Sequence, residues 1–430
     1  MSRILIWKQA SPGSEYDIFL PTDHAGLYQH VQKTWNGACK NWGNRVWFQG
    51  IYSAIDTGEN EYAFISDTIS VDEINQSFDM ILFPTANIFY EGFLGAIREL
   101  TEIFEKIRIP IYVVVCGVQA DSYDALEDVL SAIGEDSRRF IRAIYNTGGE
   151  FALRGYFTKE FFERLGFPQA VVTGCPSLYQ MGPDFQVPNQ KQDLSLLNPV
   201  FNGYVKPFAR LLQEYRDSAF IDQCDYFGPL LQPDYLADAG FRFRMGFEDR
   251  YGVQAAQLLA EGRIVMIPDV NDWRNFMKQK GFNYAFGSRI HGTIMALLSD
   301  IPATIVTFDS RTREMAEFFD IPRVQAKHNV SFDRETFCQL YEAADYTRFN
   351  QTFREKYELF GRFLTDHGIV TRLNPQNRFF AEEDYRVLNG TEESRQAFAA
   401  FSARLKKEEP ALKVCNQGRR IAGRIIGHAR

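Results

Sequence analysis

The densest chemistry in this 430-residue chain sits in one run, Tyr284-Ala285-Phe286-Gly287-Ser288-Arg289-Ile290-His291-Gly292-Thr293. A strand pattern ends near Gly287 and a helical pattern opens near His291, so Ser288, Arg289 and His291 fall at a strand-to-helix turn. Backbone N–H groups at such a helix start favour an anion. Arg289 adds a permanent planar cation matched to carboxylate or phosphate. His291, as an ordinary imidazole, would titrate near neutrality and move a proton. Together they suit an anionic substrate that also needs proton transfer. The competing role is structural: a capping serine, an arginine tied to a carboxylate, and a packed histidine. Arg154 is a second candidate cation, placed just before a helix whose first turn holds Thr158. Its structural alternative is a surface pair with Glu150 or Glu160. Asp309 stands at a strand end where a base for a hydroxyl would fit. Arg311 and Arg313 follow it, with Glu314 and Glu317 as expected ion-pair partners.

Short apolar runs alternate with helical patterns to position these groups. Arg3 to Trp7, Met80 to Phe83, Pro110 to Cys116, Phe151 to Arg154 and Ala170 to Thr173 read as strands around helices at 93–106 and 158–165. Residues 182 to 193 hold two prolines and no periodic pattern, as a linker would. Alternation then resumes, with strands expected at 194–197, 219–221, 264–267, 284–286 and 303–306. Helices are expected at 211–215, 272–280 and 293–298. The predicted organisation is an N-terminal α/β domain (1–182), a linker (183–193), a C-terminal α/β domain (194–330), a helical closing segment (331–369) and an extension (370–430). Phe349, Phe353, Tyr357, Phe360 and Leu364 recur at a helical period in the closing segment. Two α/β halves place a ligand in the cleft between them, near the carboxyl ends of the strands.

Composition narrows the function. The net charge of −8 argues against a nucleic-acid binder but leaves room for a locally positive pocket. From Arg404 to Arg430, eight Lys/Arg against two Glu give +6, so the preceding 403 residues sum to −14. That basic tail either lies on an anionic membrane surface or frays as an ordinary terminus. No apolar run reaches transmembrane length, and Met1 to Lys8 is too soon charged for a secretory signal. The six cysteines lie far apart without a C-x-x-C pair, so neither a zinc site nor a disulfide framework is expected. A cytoplasmic location is the expectation, and the sequons at Asn75, Asn329, Asn350 and Asn389 carry no weight there.

The order of motifs resembles one family. Ser288-Arg289-Ile290-His291, an apolar helix, Asp300-Ile301-Pro302, a strand and Asp309-Ser310-Arg311-Thr312-Arg313-Glu314 resemble the C-terminal signature of polysaccharide pyruvyltransferases. Asn41-Trp42-Gly43-Asn44-Arg45, Arg154-Gly155-Tyr156-Phe157-Thr158 with Leu165-Gly166, and Thr173-Gly174-Cys175-Pro176-Ser177-Leu178 match its earlier segments in order, so the resemblance spans roughly residues 35 to 325. The chain departs from the pattern at Phe83-Pro84-Thr85-Ala86-Asn87, where members often carry a glycine cluster, and at Cys116-Gly117-Val118-Gln119-Ala120, which has one glycine.

The resemblance implies two Rossmann-like domains facing a cleft, as in the GT-B architecture, with the acceptor on the N-terminal side. It implies pyruvyl transfer from phosphoenolpyruvate to two hydroxyls of a saccharide, which a lipid carrier would hold at the membrane, and it requires no metal or organic cofactor. It casts His291 as acid and Arg289 as its catalytic partner. Arg154, Ser288 and Arg311 would hold the donor, and Asn41, Gly43 and Asn44 would bind acceptor or phosphate unless they form a plain turn. Two other readings compete: a nucleotide-sugar glycosyltransferase on the same scaffold, and a non-catalytic saccharide-binding relative. The first lacks the Glu-x7-Glu pair that many retaining members show after such a turn.

Overall fold

The computed structural model describes residues 2–7, 24–36, 41–55, 58–66, 68–223, 236, 239–327, 330–373 and 380–427. Cys39, Cys224 and Asn329 lie outside the described residues, as do residues 428–430 of the tail and the side chains from position 421 onward.

Two parallel sheets organise the chain. The first holds β1 (Arg3–Ile6), β2 (Glu61–Phe64), β3 (Met80–Pro84), β4 (Asn87–Phe89), β5 (Ile111–Val118), β6 (Glu150–Leu153) and β7 (Val171–Val172). Its order is β2-β1-β3-β5-β6-β7, with β4 beside β5. The second holds β8 (Pro199–Asn202), β9 (Ala219–Asp222), β10 (Ile264–Met266), β11 (Tyr284–Gly287), β12 (Ala303–Thr307) and β13 (Arg323–Gln325), in the order β10-β9-β8-β11-β12-β13. Every strand pairing in both is parallel. Renumbered within its own half, the second order is 3-2-1-4-5-6, the dinucleotide-fold order, and the first begins 2-1-3 as in the flavodoxin-like variant. The two Rossmann-like halves face a cleft whose walls come from both.

β5 is buried along its whole length, as its β-branched run predicts. Its pairing with β6 slips between Val113 and Cys116, and Val115 between them sits at φ 67°. This bulge turns the end of the strand, and Gly117 and Val118 then pair with β4.

One apolar cluster spans both halves beneath the cleft. It contains Trp47 on the helix Gly43–Ala54, Tyr179 on the turn Pro176–Met181, Met295 on the helix Ile290–Leu298 and Phe360 on the helix Thr347–Asp366. The aromatic ladder of the helix Thr347–Asp366 is buried as its period predicts, and Phe360 stacks on Tyr179 at 5.4 Å.

Two sequence expectations fail. Residues 194–197 form no strand: Leu194–Leu196 is a 3₁₀ turn, because Asp193 accepts the Ser195 N–H and nucleates it. The strand begins instead at Pro199, whose missing N–H is tolerated at a first strand position. The tail is no frayed end either. Glu392–Gly427 is a 36-residue helix packed on the helices Phe241–Tyr251 and Val253–Ala260. Phe398, Phe401, Leu405 and Leu412 bury its inner face. No described helix is long and apolar enough to cross a membrane.

Candidate active site

In the second half, β8 and β11 lie side by side at the switch point of the strand order. The carboxyl end of β8 supplies Asn202, whose Oδ1 accepts the Arg289 N–H at 2.9 Å while its backbone oxygen accepts the Ser288 N–H at 3.2 Å. The Asn202 side chain occupies the space that a Cβ at Gly287 or Gly292 would fill, within 2.4 and 2.6 Å. Gly203 follows at φ +106°, and a Cβ there would meet Ser288 Oγ at 2.0 Å. The run from 287 to 292 is therefore shaped around one asparagine. Among the described residues the N-cap side chain makes no cap hydrogen bond to the helix Ile290–Leu298 that it opens, and an uncapped helix start of this kind favours an anion. The Arg289 guanidinium lies over the Tyr204 ring, 5.1 Å from its centroid.

From the first half, Arg154 follows β6 and is 3% exposed. It pairs with neither Glu150 nor Glu160: Nη1 donates to Asn87 Oδ1 at 2.6 Å. Burial lowers its pKa from the usual arginine value.

The two walls meet at a cavity of about 540 Å³. Asn41, Asn44, Arg154, Ser288, Arg289, His291 and Arg311 all line it, so most residues singled out by sequence converge there. Gly43 does not line it. It is a packing point, where a Cβ would lie 2.3 Å from Gln223 Oε1 and 3.3 Å from the His291 Cβ. Asn41 caps the turn through the Gly43 N–H at 3.0 Å, and Asn44 accepts the Trp47 indole N–H at 3.2 Å. Arg311 pairs with Asp309 rather than with Glu314 or Glu317, at 2.5 Å. Asp309 also accepts the Thr312 N–H, so it is a cap and ion-pair partner rather than a free base. Arg313 pairs with Glu317 and lies over the Tyr123 ring.

His291 departs from the sequence expectation. It is 7% exposed, and desolvation, followed by the Arg154 charge, pushes its pKa down from 6.5 to about 3. The imidazole is neutral in the free protein. Its Nε2 is buried without a hydrogen-bond partner among the described residues, as are Arg154 Nε, Ser288 Oγ and the Gln223 amide nitrogen. Each such group costs about 1–3 kcal/mol, and four on one cavity mark a place for a polar ligand.

Sequence reasoning passed over Asn87, Asn202, Gln223 and Glu314. Glu314 is fully buried, although it comes from a charged run. It reaches from the helix Ser310–Phe319 of the second half to the helix Tyr156–Arg164 of the first. There its Oε2 accepts the Thr158 N–H at 3.0 Å and the Thr158 hydroxyl at 2.8 Å. A Cβ at Gly155 would lie 2.8 Å from the Glu314 Cβ, so the small residue after Arg154 admits it. Burial raises its pKa to about 7, against the opposing pull of Arg154.

A family model described as polysaccharide pyruvyl transferase matches residues 64–310, more than half of the chain, and takes in Asn87, Arg154, Asn202 and the turn from Ser288 to His291. No curated protein matches the chain. Among solved structures, the chain is similar to the crystal structure of the glycosyltransferase SnogD from Streptomyces nogalater. The identity is 10%, with 83% of this chain and 95% of that chain covered, and the TM-score of 0.31 is too low to carry an argument. The family match, over more than half of the chain, makes this chain a member of the polysaccharide pyruvyl transferase family.

Proposed function

We propose that the cavity transfers a pyruvyl group from phosphoenolpyruvate to two hydroxyls of one saccharide, giving a cyclic ketal and inorganic phosphate. The observation that supports this reading best is the set of buried, unpartnered polar groups of Arg154, Ser288, Gln223 and His291 around one cavity. Phosphoenolpyruvate carries a carboxylate and a phosphate, and Arg154 and Arg289 with the uncapped helix start offer two anion sites.

The neutral state of His291 fits an acid that is loaded by its substrate. Donor anions offset both influences that depress its pKa, so the imidazole takes up a proton as the donor binds. It then gives that proton to the methylene carbon of the enol, leaving positive charge on the adjacent carbon beside the bound anions. One sugar hydroxyl adds to that carbon and the second displaces phosphate. Of the two hydroxyl protons released, one replaces the proton given up by His291 and the other leaves on phosphate. Arg289 acts by holding the donor. Asn41 and Asn44, which line the same cavity, bind the acceptor. The test is phosphate release from phosphoenolpyruvate with a panel of saccharides, beside thermal stabilisation by the donor. Saccharide-dependent release and stabilisation by phosphoenolpyruvate support the reading. Stabilisation by nucleotide sugars alone overturns it.

A further inference from the structure

The charge lining the cavity exceeds what one small donor needs. Arg154, Lys206, Arg250, Arg289, Arg311 and Arg420 stand against Asp249 and Asp309, six cations to two carboxylates, for a local +4 in a chain of net −8. The excess is not evenly placed. Arg154, Ser288 and His291 are buried at the floor, whereas Tyr204, Arg250 and Arg420 are exposed at the rim. Lys206 is half-buried between them and donates to the Asp249 carbonyl at 2.6 Å.

Arg420 reaches this rim from the long C-terminal helix, outside the family match. Packing, not chance, puts it there. The Asn416 amide, one turn earlier, is buried and donates to Glu248 Oε2 at 2.7 Å and to the Met245 carbonyl at 2.9 Å. Arg244 grips Glu408 of the same helix through two hydrogen bonds of 2.8 and 3.0 Å. Arg420 itself pairs with Asp249, and its side chain is still 61% exposed. Asp249, with the buried Glu248 beside it, thus sits among three cations at the mouth of a cavity that Arg154 and Arg289 also line.

We infer that this rim is a second anion subsite, completed by the C-terminal helix, for a phosphate or carboxylate borne by the saccharide acceptor. The inference rests on the floor being the donor site. Lys206, Arg250 and Arg420 hold the acceptor's charged group while Tyr204, beside them at the rim, offers a ring face to the sugar. The basic tail, which the sequence leaves between a membrane surface and a frayed terminus, then acts as part of the acceptor site.

The test is calorimetric titration of the full chain, with phosphoenolpyruvate present, by glucose 1-phosphate, glucuronate and uncharged methyl glucoside. The variants are Arg420→Gln, Arg250→Gln and, as a control on an exposed position of the same helix, Lys407→Gln. At least one charged sugar should bind roughly tenfold tighter than methyl glucoside. Arg420→Gln and Arg250→Gln should each remove most of that preference, and Lys407→Gln and the phosphoenolpyruvate affinity should stay as in the parent. The better charged sugar identifies phosphate or carboxylate as the group recognised. Equal binding of all three sugars, or an Arg420→Gln variant indistinguishable from Lys407→Gln, would overturn the inference. Should phosphoenolpyruvate fail to bind while charged sugars still bind through Arg420, the donor reading fails and the rim subsite stands.

Discussion

His291 and Arg289 divide the work by environment. The imidazole is buried beside a cation that helps push its pKa down, while the guanidinium is half-exposed over Tyr204; in the proposed reaction the first moves a proton and the second holds the donor. His291→Ala should lower turnover by roughly 10²–10⁴-fold with donor affinity within a few-fold of the parent, and Arg289→Ala should weaken donor binding itself by roughly tenfold or more. Calorimetry in buffers of different ionisation enthalpy should record proton uptake on donor binding near pH 7. That uptake should vanish in His291→Ala. Arg289 and His291 were legible in the sequence because an arginine and a histidine at a strand-to-helix turn are a local pattern. Asn202 was not, because its strand was misplaced, and Glu314 was not. Nothing near Glu314 in the chain tells that its partner is Thr158 in the other half, so its run reads as a solvated face.

At the scale of elements, the turn from Gly287 to Gly292 depends on β8 ending in Asn202-Gly203. Gly203→Ala combines φ +106° with a 2.0 Å approach to Ser288 Oγ, so it should destabilise the fold by about 1–3 kcal/mol and weaken donor binding. The Glu314 cap joins the helix Ser310–Phe319 to the helix Tyr156–Arg164 across the halves. Its folded pKa lies above the ordinary 4.5, so the stability it contributes is full below pH 4.5 and is lost as pH rises through about 7. Thermal melts from pH 4.5 to 8 should therefore show the parent losing stability relative to Glu314→Gln, by on the order of 3 kcal/mol over the window. A parallel profile for the two proteins would remove Glu314 from that role. Most strands and helices were legible because their periodicity is strong. β8 escaped because an Asp193 cap and a strand-opening proline break the pattern, and the last helix because charge masks its apolar positions at 398, 401, 405 and 412.

For the whole molecule, a shared apolar cluster means that the halves do not stand alone. Phe360→Ala, which opens a hole beside Tyr179, should cost about 3–5 kcal/mol and lower the melting temperature of the whole chain. Loss confined to one half of the molecule would argue against a common core. The −8 of the chain, taken as a bulk figure, conceals a cavity of +4, and this is the largest gap between composition and structure. The alternation of strands and helices announces two α/β halves, but the convergence of Arg154 with Arg289 and His291 follows only from their docking. The proposed donor site depends on that convergence. It is tested most directly by titrating phosphoenolpyruvate calorimetrically into the parent, Arg154→Ala and Arg289→Ala. One saturable site in the parent, weakened by both substitutions, is the predicted result. An absence of binding to the folded parent, or binding indifferent to both arginines, would contradict it.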